Sequence, residues 1–440
     1  MQKAFKFISL LVIVALFSGL IAILFTGCAK QESKGIIIIP GIIGSAYIDT
    51  DAKDEDGNIV EQSVWDPFNG KLGWYDLFGE EGQTFRMDNP KVIEEMRETM
   101  LPVFFALAKE ENIVTQMMID EDGKPSDKSV KVADMNTQSD LKYGTLGAYK
   151  EMYSELSNCY GEEYEVSVFQ FDWRLDGQDA GKLLEDYIQA KDYSKVILIG
   201  HSMGGMVASN YLSRSQANRD KTELFISIVA PLLGSIMAPQ IVINSSGLMG
   251  GLLPSSLSFM IDTFDEMLYP LVKNSYVGYQ LFPNEDYFSN PYYPEGESCI
   301  YIDDQPASLT QLTDYVKAQD WAKHSSGELK PAVANMSALY DSLYIDNNGQ
   351  RTHVTDLVNT YYFVATGSNT ASVFRLYSDG NTAIETFTEG DGIVSAYSAA
   401  CGKPLDHERV LLYKDISHTT VGIYFNLYIK DDVFGLIDAL

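Results

Sequence analysis

Four apolar runs punctuate the chain, and none shows the alternation expected of a strand with one wet face. They are GIIIIPG at 35–41, then 164–171, 195–200 and 224–230. Short runs rich in Ile, Val and Phe, bounded by turn residues, fit strands buried on both faces, as in a parallel sheet. Runs at 361–367 and 409–413 are also strand-like. Helical spacing fills the gaps. Residues 141–160 carry a mixed apolar face. Residues 181–191 put Leu183, Leu184, Tyr187 and Ile188 on one side, and 203–212 follow the third strand directly. Strands alternating with helices predict an α/β fold, a mostly parallel sheet flanked by helices and joined by right-handed crossovers.

Two stretches, about 48–140 and 235–355, are too long to be plain loops and read as cap or lid insertions. Asp-rich turns recur in or near them: Asp54-Glu55-Asp56-Gly57, Asp120-Glu121-Asp122-Gly123, Asp346-Asn347-Asn348-Gly349 and Asp379-Gly380-Asn381. Each suits a hairpin turn. A calcium loop is the sharper reading, but no D-x-D-x-D-G run with a distal Glu is present. The uncharged stretch 247–254, GLMGGLLP, combines hinge glycines with apolar side chains; a buried loop is its plain reading, and a mobile lid or lipid-facing surface its functional one.

The N-terminus has a different pattern. Lys3 and Lys6 precede an uncharged, mostly apolar stretch, 8–27, that ends at Cys28. A positive start and a long apolar segment make an export signal. Phe25-Thr26-Gly27-Cys28 resembles the lipobox of bacterial lipoproteins, which implies cleavage after residue 27 and a lipid on Cys28. Residues 28–34 then form a polar tether, and 35–440 the folded domain. The expected location is outside the cytoplasmic membrane and attached to it. Cys159, Cys299 and Cys401 are widely spaced, fit no metal pattern and read as packed thiols.

Composition narrows the field further. Apolar residues make up 45% of the 440, too many for a disordered chain. The net charge of −29 argues against nucleic acid, whose affinity comes from Lys and Arg on phosphates. The leader holds two lysines and no acid, so the remainder is two units more negative still.

The strongest chemical signal is Gly200-His201-Ser202-Met203-Gly204, directly after the third buried strand and before a helix. This is G-x-S-x-G in the context it requires, a strained elbow that lifts Ser202 above the sheet. A serine hydroxyl needs a base. On folds that carry this elbow, the acid and the histidine follow the serine in that order. Of five histidines, His418 lies in a loop after the last strand. His407 precedes that strand, and His324 and His353 fall in the second insertion. His201 points away from the serine in such turns and reads as structural. For the acid, Asp391 stands between two glycines in Glu389-Gly390-Asp391-Gly392, which lets a buried carboxylate approach an imidazole; Asp379 is better explained as a turn. Its task would be to hold the imidazole tautomer. The oxyanion donors would be the backbone N–H groups of Met203 and of Ile42, in the loop after the first strand. No metal or organic cofactor is called for.

Six motifs then stand in order: PGIIGS (40–45), FDWR (171–174), GHSMGG (200–205), APLLGS (230–235), EGDGIVS (389–395) and SHTTVG (417–422). Together they resemble the lecithin:cholesterol acyltransferase family, which includes lysosomal phospholipase A2. The resemblance implies an α/β-hydrolase with a cap and lid that acts on lipid esters through an acyl-serine. It supports Ile42 as an oxyanion donor. It singles out Asp172, Trp173 and Arg174, whose plainer reading is a buried ion pair beside a packed indole. The family's disulfide near the N-terminus has no counterpart around Val64-Trp65-Asp66. The expected activity is a serine-dependent lipid ester hydrolase or O-acyltransferase. A serine peptidase or small-ester esterase is the rival on the same fold. A non-catalytic binding lipoprotein is the rival of another class, and the intact trio of side chains speaks against it.

Overall fold

The computed structural model describes residues 33–64 without 43, 55 and 61, then 113–133, 148–244 and 269–440 without 292, 294, 295 and 388. The expected export signal, Cys28, Trp65, Asp66 and the 247–254 stretch lie outside these residues.

Six strands form one sheet: β1 Lys34–Ile39, β2 Tyr164–Val168, β3 Lys195–His201, β4 Thr222–Ile228, β5 Thr360–Thr366 and β6 Val410–Lys414. Their order is β6-β5-β4-β3-β1-β2, and every pairing is parallel. Each strand was legible as an apolar run to within three residues at either end. The reason is visible in β1. Ile36 and Ile38 pack on one face, with Met152 and Leu156 of α1 (Lys150–Tyr160) and Ile437 of the C-terminal helix Lys430–Asp438. Ile37 and Ile39 pack on the other, with Leu184 and Ile188 of α2 (Gly177–Ala190) and Val207 and Tyr211 of α3 (Met203–Arg214). With helices on both faces, no position is free to be polar. Each such side chain contributes roughly 1.5–3 kcal/mol by leaving water.

The helices depart from expectation in two details. Leu183 is exposed, because the buried stripe of α2 runs through Ala180, Leu184 and Ile188, four residues apart. Cys159 is exposed rather than packed, since the last turn of α1 is solvated; Cys299 is buried and Cys401 partly so, and all three are free thiols.

The second insertion has a core of its own, including Val242, Tyr279, Tyr287, Ile300 and Leu312. Its sheet uses more chain than the pattern suggested. Ile300–Ile302 pairs parallel with Thr370–Leu376, which turns back antiparallel on Thr382–Phe387. The second insertion's sheet therefore takes in a hairpin from beyond β5. Asp379 sits at the tip of that hairpin and accepts from Asn381 N–H at 2.9 Å. Asp54 and Asp120 do the same work in their own turns, each accepting two backbone N–H groups through one oxygen. In the first insertion, Tyr47–Asp49 pairs antiparallel with Gln62–Ser63 and Val130–Val132. Among the described residues no helix is long and apolar enough to cross a membrane.

Candidate active site

The sheet order places the site. From β1 the chain moves outward to β2 and then crosses back to β3 on β1's other side. The chain therefore leaves β1 and β3 toward opposite faces of the sheet, a topological switch point of the kind at whose strand carboxyl ends open α/β sheets bind ligands. Ile39 pairs with Gly200, so the Pro40–Ile42 loop lies against the elbow.

Ser202 adopts φ 53° and ψ −127°, a conformation that costs roughly 1–3 kcal/mol and must be imposed by its surroundings. Its N–H donates to Ile228 O and its carbonyl accepts from Gly205 N–H, both at 2.9 Å. The flanking glycines let the turn close. A Cβ on Gly200 would sit 2.7 Å from Gly205 Cα, and one on Gly204 would run into the carbonyl oxygens of Ile39 and Pro40. No side chain fits where α3 starts so hard against β1. Met203 is the first residue of α3, so its N–H has no intrahelical partner and points from the positive end of the helix.

The acid and the histidine arrive on two later loops. Asp391 is bridged to Ser368, just beyond β5. Its Oδ1 accepts from the N–H groups of Ile393 at 2.9 Å and Val394 at 2.7 Å. Its Oδ2 is left for His418 Nδ1 at 2.7 Å. His418 opens the helix His418–Ile423 after β6, and its own N–H donates to Asp391 O at 2.9 Å. On the far side of the imidazole, Nε2 lies 2.9 Å from Ser202 Oγ. All three side chains are buried, with Asp391 only 1% exposed. The structure thus brings Ser202, His418 and Asp391 into one unbroken line from hydroxyl to carboxylate. Such a line lets an imidazole take a proton from a hydroxyl while the carboxylate fixes its tautomer.

On the oxyanion side, Gly41 N–H is spent on the Tyr149 hydroxyl at 2.9 Å, which leaves the amide of Ile42 as the next along the loop. Tyr149 escaped the sequence reading; one tyrosine among 27 carries no local signal. Its hydroxyl also meets His201 Nδ1 at 2.8 Å. His201 is buried, and burial with His418 nearby pushes its pKa down to about 3, so it stays neutral. The other histidines are remote from this line. His407 Nδ1 accepts from Arg409 N–H, His353 Nδ1 meets Thr355 Oγ1 at 2.7 Å, and His324 lies beside Glu121.

Asp172, Trp173 and Arg174 form a separate knot. Arg174 is fully buried and grips Asp172 with two bonds, Nε at 2.8 Å and Nη2 at 2.7 Å. Its Nη1 donates to Met117 O at 3.0 Å, and Tyr47 Oη donates to Asp172 at 2.9 Å. Trp173 packs edge-on against Tyr47. The knot ties the first insertion to the loop after β2. Among the described residues no group of three or more His, Cys, Asp or Glu could hold a metal ion.

A parallel sheet flanked by helices, with a serine elbow at the switch point, defines the α/β-hydrolase class. Residues 129–389 match the model of the family described as lecithin:cholesterol acyltransferase, and the chain belongs to that family of acyl-transferring and lipid-ester-cleaving enzymes. The matched span holds Ser202 and the FDWR and APLLGS motifs. It stops two residues before Asp391, so the loops of Asp391, His418 and Ile42 lie outside it. No curated protein matches the chain.

Proposed function

We propose that the protein is a serine-dependent lipid ester hydrolase or O-acyltransferase. The observation that carries this reading is the continuous Ser202–His418–Asp391 line at the switch point of a chain belonging to this family. His418 takes the Ser202 proton as Oγ attacks the acyl carbon. The N–H groups of Met203 and Ile42 hold the oxyanion, each contributing roughly 3 kcal/mol at the transition state. His418 then gives that proton to the departing alcohol. Water or a second alcohol, deprotonated by His418, removes the acyl group from Ser202. Asp391 holds the proton on Nδ1 and stabilises the imidazolium.

The test supplies a phospholipid or an acylglycerol with and without a lipophilic alcohol and identifies the products by mass. Free fatty acid alone marks a hydrolase, and a new ester marks a transferase. Cleavage of peptides with lipid esters untouched would contradict the substrate class.

The proposed location is the outer face of the cytoplasmic membrane, held by a lipid on Cys28. The folded domain's negative charge would be repelled from an anionic surface within about one Debye length, ~8 Å at physiological salt. A Cys28→Ser protein should keep activity on dispersed substrates and bind anionic vesicles weakly. Tight vesicle binding by that variant would contradict the anchor's role.

A further inference from the structure

His201 neighbours the serine, yet the proposed chemistry gives it nothing to do. It is nevertheless hydrogen-bonded through both ring nitrogens. On one side, Gly41 N–H donates to Tyr149 Oη at 2.9 Å, and Tyr149 Oη lies 2.8 Å from His201 Nδ1. On the other, His201 Nε2 lies 3.3 Å from the backbone carbonyl of His418.

The polarity of this chain follows from counting protons. The Gly41 amide can only donate, so Tyr149 Oη accepts from it. The phenol's single proton is then free for His201 Nδ1, which must present a lone pair. The neutral ring carries its proton on Nε2, facing a carbonyl that can only accept. Every link agrees with the next in one tautomer. Protonating His201 would leave the Tyr149 proton opposite another N–H in a buried place, and burial opposes that charge in any case.

Sterics fix the ring as firmly. A Cβ on Gly422, one turn past His418, would sit 2.8 Å from His201 Cδ2 and Nε2. A Cβ on Gly41 would sit 2.8 Å from Ser202 Cβ and 3.3 Å from His201 Nδ1. Both neighbouring backbones have closed down on the imidazole because they carry no side chain there. Tyr149 meets the ring at its edge, with centroids 5.8 Å apart.

We infer that Tyr149 and His201 are positioning residues, a hydrogen-bonded strap that sets the oxyanion loop and the His418 loop in register across Ser202. The inference rests on the serine reading above. The strap joins three segments far apart in sequence, all of which would act on the same few atoms. Slack of the order of 1 Å in such an arrangement costs about 100-fold in rate.

The test compares turnover of a p-nitrophenyl acyl ester by Tyr149→Phe, His201→Leu, His201→Gln and the pair Tyr149→Phe/His201→Leu, with thermal unfolding recorded for each. Tyr149→Phe keeps the buried ring and loses only the hydroxyl, so kcat should fall about 10- to 100-fold at unchanged KM. His201→Leu should fall at least as far. His201→Gln, whose amide can still donate to the His418 carbonyl, should recover part of the loss. The pair should be no worse than His201→Leu alone, because both break one strap. Tyr149→Phe at full kcat overturns the inference, as does a multiplicative loss in the pair or a Gln variant no better than Leu. Ser202→Ala separates the two levels. If it is inactive while Tyr149→Phe turns over normally, only the strap is wrong; if it stays active, the serine reading falls and takes the strap with it.

Discussion

Two carboxylates stand at the carboxyl ends of this sheet, Asp391 buried and Asp172 partly so, each paired with a base, and they are wired differently. Asp172 gives both oxygens to Arg174 and also accepts from Tyr47 Oη, while Arg174 Nη1 donates to Met117 O. That network is closed, and a guanidinium does not give up a proton. Asp391 gives one oxygen to the backbone N–H groups of Ile393 and Val394 and the other to His418, whose second nitrogen continues to Ser202. That network is open at one end and contains a group that can carry a proton either way. The difference teaches that a buried acid–base pair is a brace or a machine according to where its last donor points. Burial alone does not decide it, since all four side chains are largely inside.

The contrast is broken most sharply from the open side. His418→Ala should lower kcat about 10⁶-fold, and Asp391→Asn about 10⁴-fold by favouring the wrong tautomer. Both should leave thermal unfolding close to that of the parent. Loss of fold in Asp391→Asn would show that this carboxylate is a brace as well. From the closed side the expectation reverses. Arg174→Met strands Asp172 and should cost about 3 kcal/mol in urea unfolding, while kcat per folded molecule holds. A large kcat loss with stability intact would mean that the knot reaches the reacting atoms.

The smallest effect sharpens the role of proton-carrying groups. His353, like His201, is a buried histidine without a carboxylate bonded to it, and burial pushes its pKa down to about 4 from an ordinary 6.5. Below pH 6.5 the unfolded chain takes up a proton there that the folded chain refuses, so stability falls with pH until about pH 4. Such a group removes at most about 1.4 kcal/mol per pH unit. His353→Gln should flatten the slope of unfolding free energy against pH in that window and leave kcat unchanged. An unaltered slope would show that the folded protein protonates His353.

The core was legible because its cause is local. Ile36 to Ile39 are apolar on both faces of one strand, and the glycines at 200 and 204 mark a turn that tolerates no side chain. Asp391 and His418 followed from strand order and loop chemistry. The second insertion was not legible in the same way. Its sheet joins Ile300–Ile302 to Thr370–Leu376, about 70 residues further on, with β5 in between. No pattern within either segment names the other. Leu183 shows the same limit on a smaller scale, since an apolar residue one position off the buried stripe looks like part of it. Tyr149 was invisible because its importance lies in a hydroxyl partner 52 residues away.

Everything above turns on Ser202 as the nucleophile. The most direct measurement is labelling of the native protein with a fluorophosphonate, followed by mass mapping of the modified peptide. One adduct is expected, on Ser202, lost in Ser202→Ala and greatly slowed in His418→Ala. An adduct that persists in Ser202→Ala, or no adduct under conditions that label an authentic serine hydrolase, would contradict it.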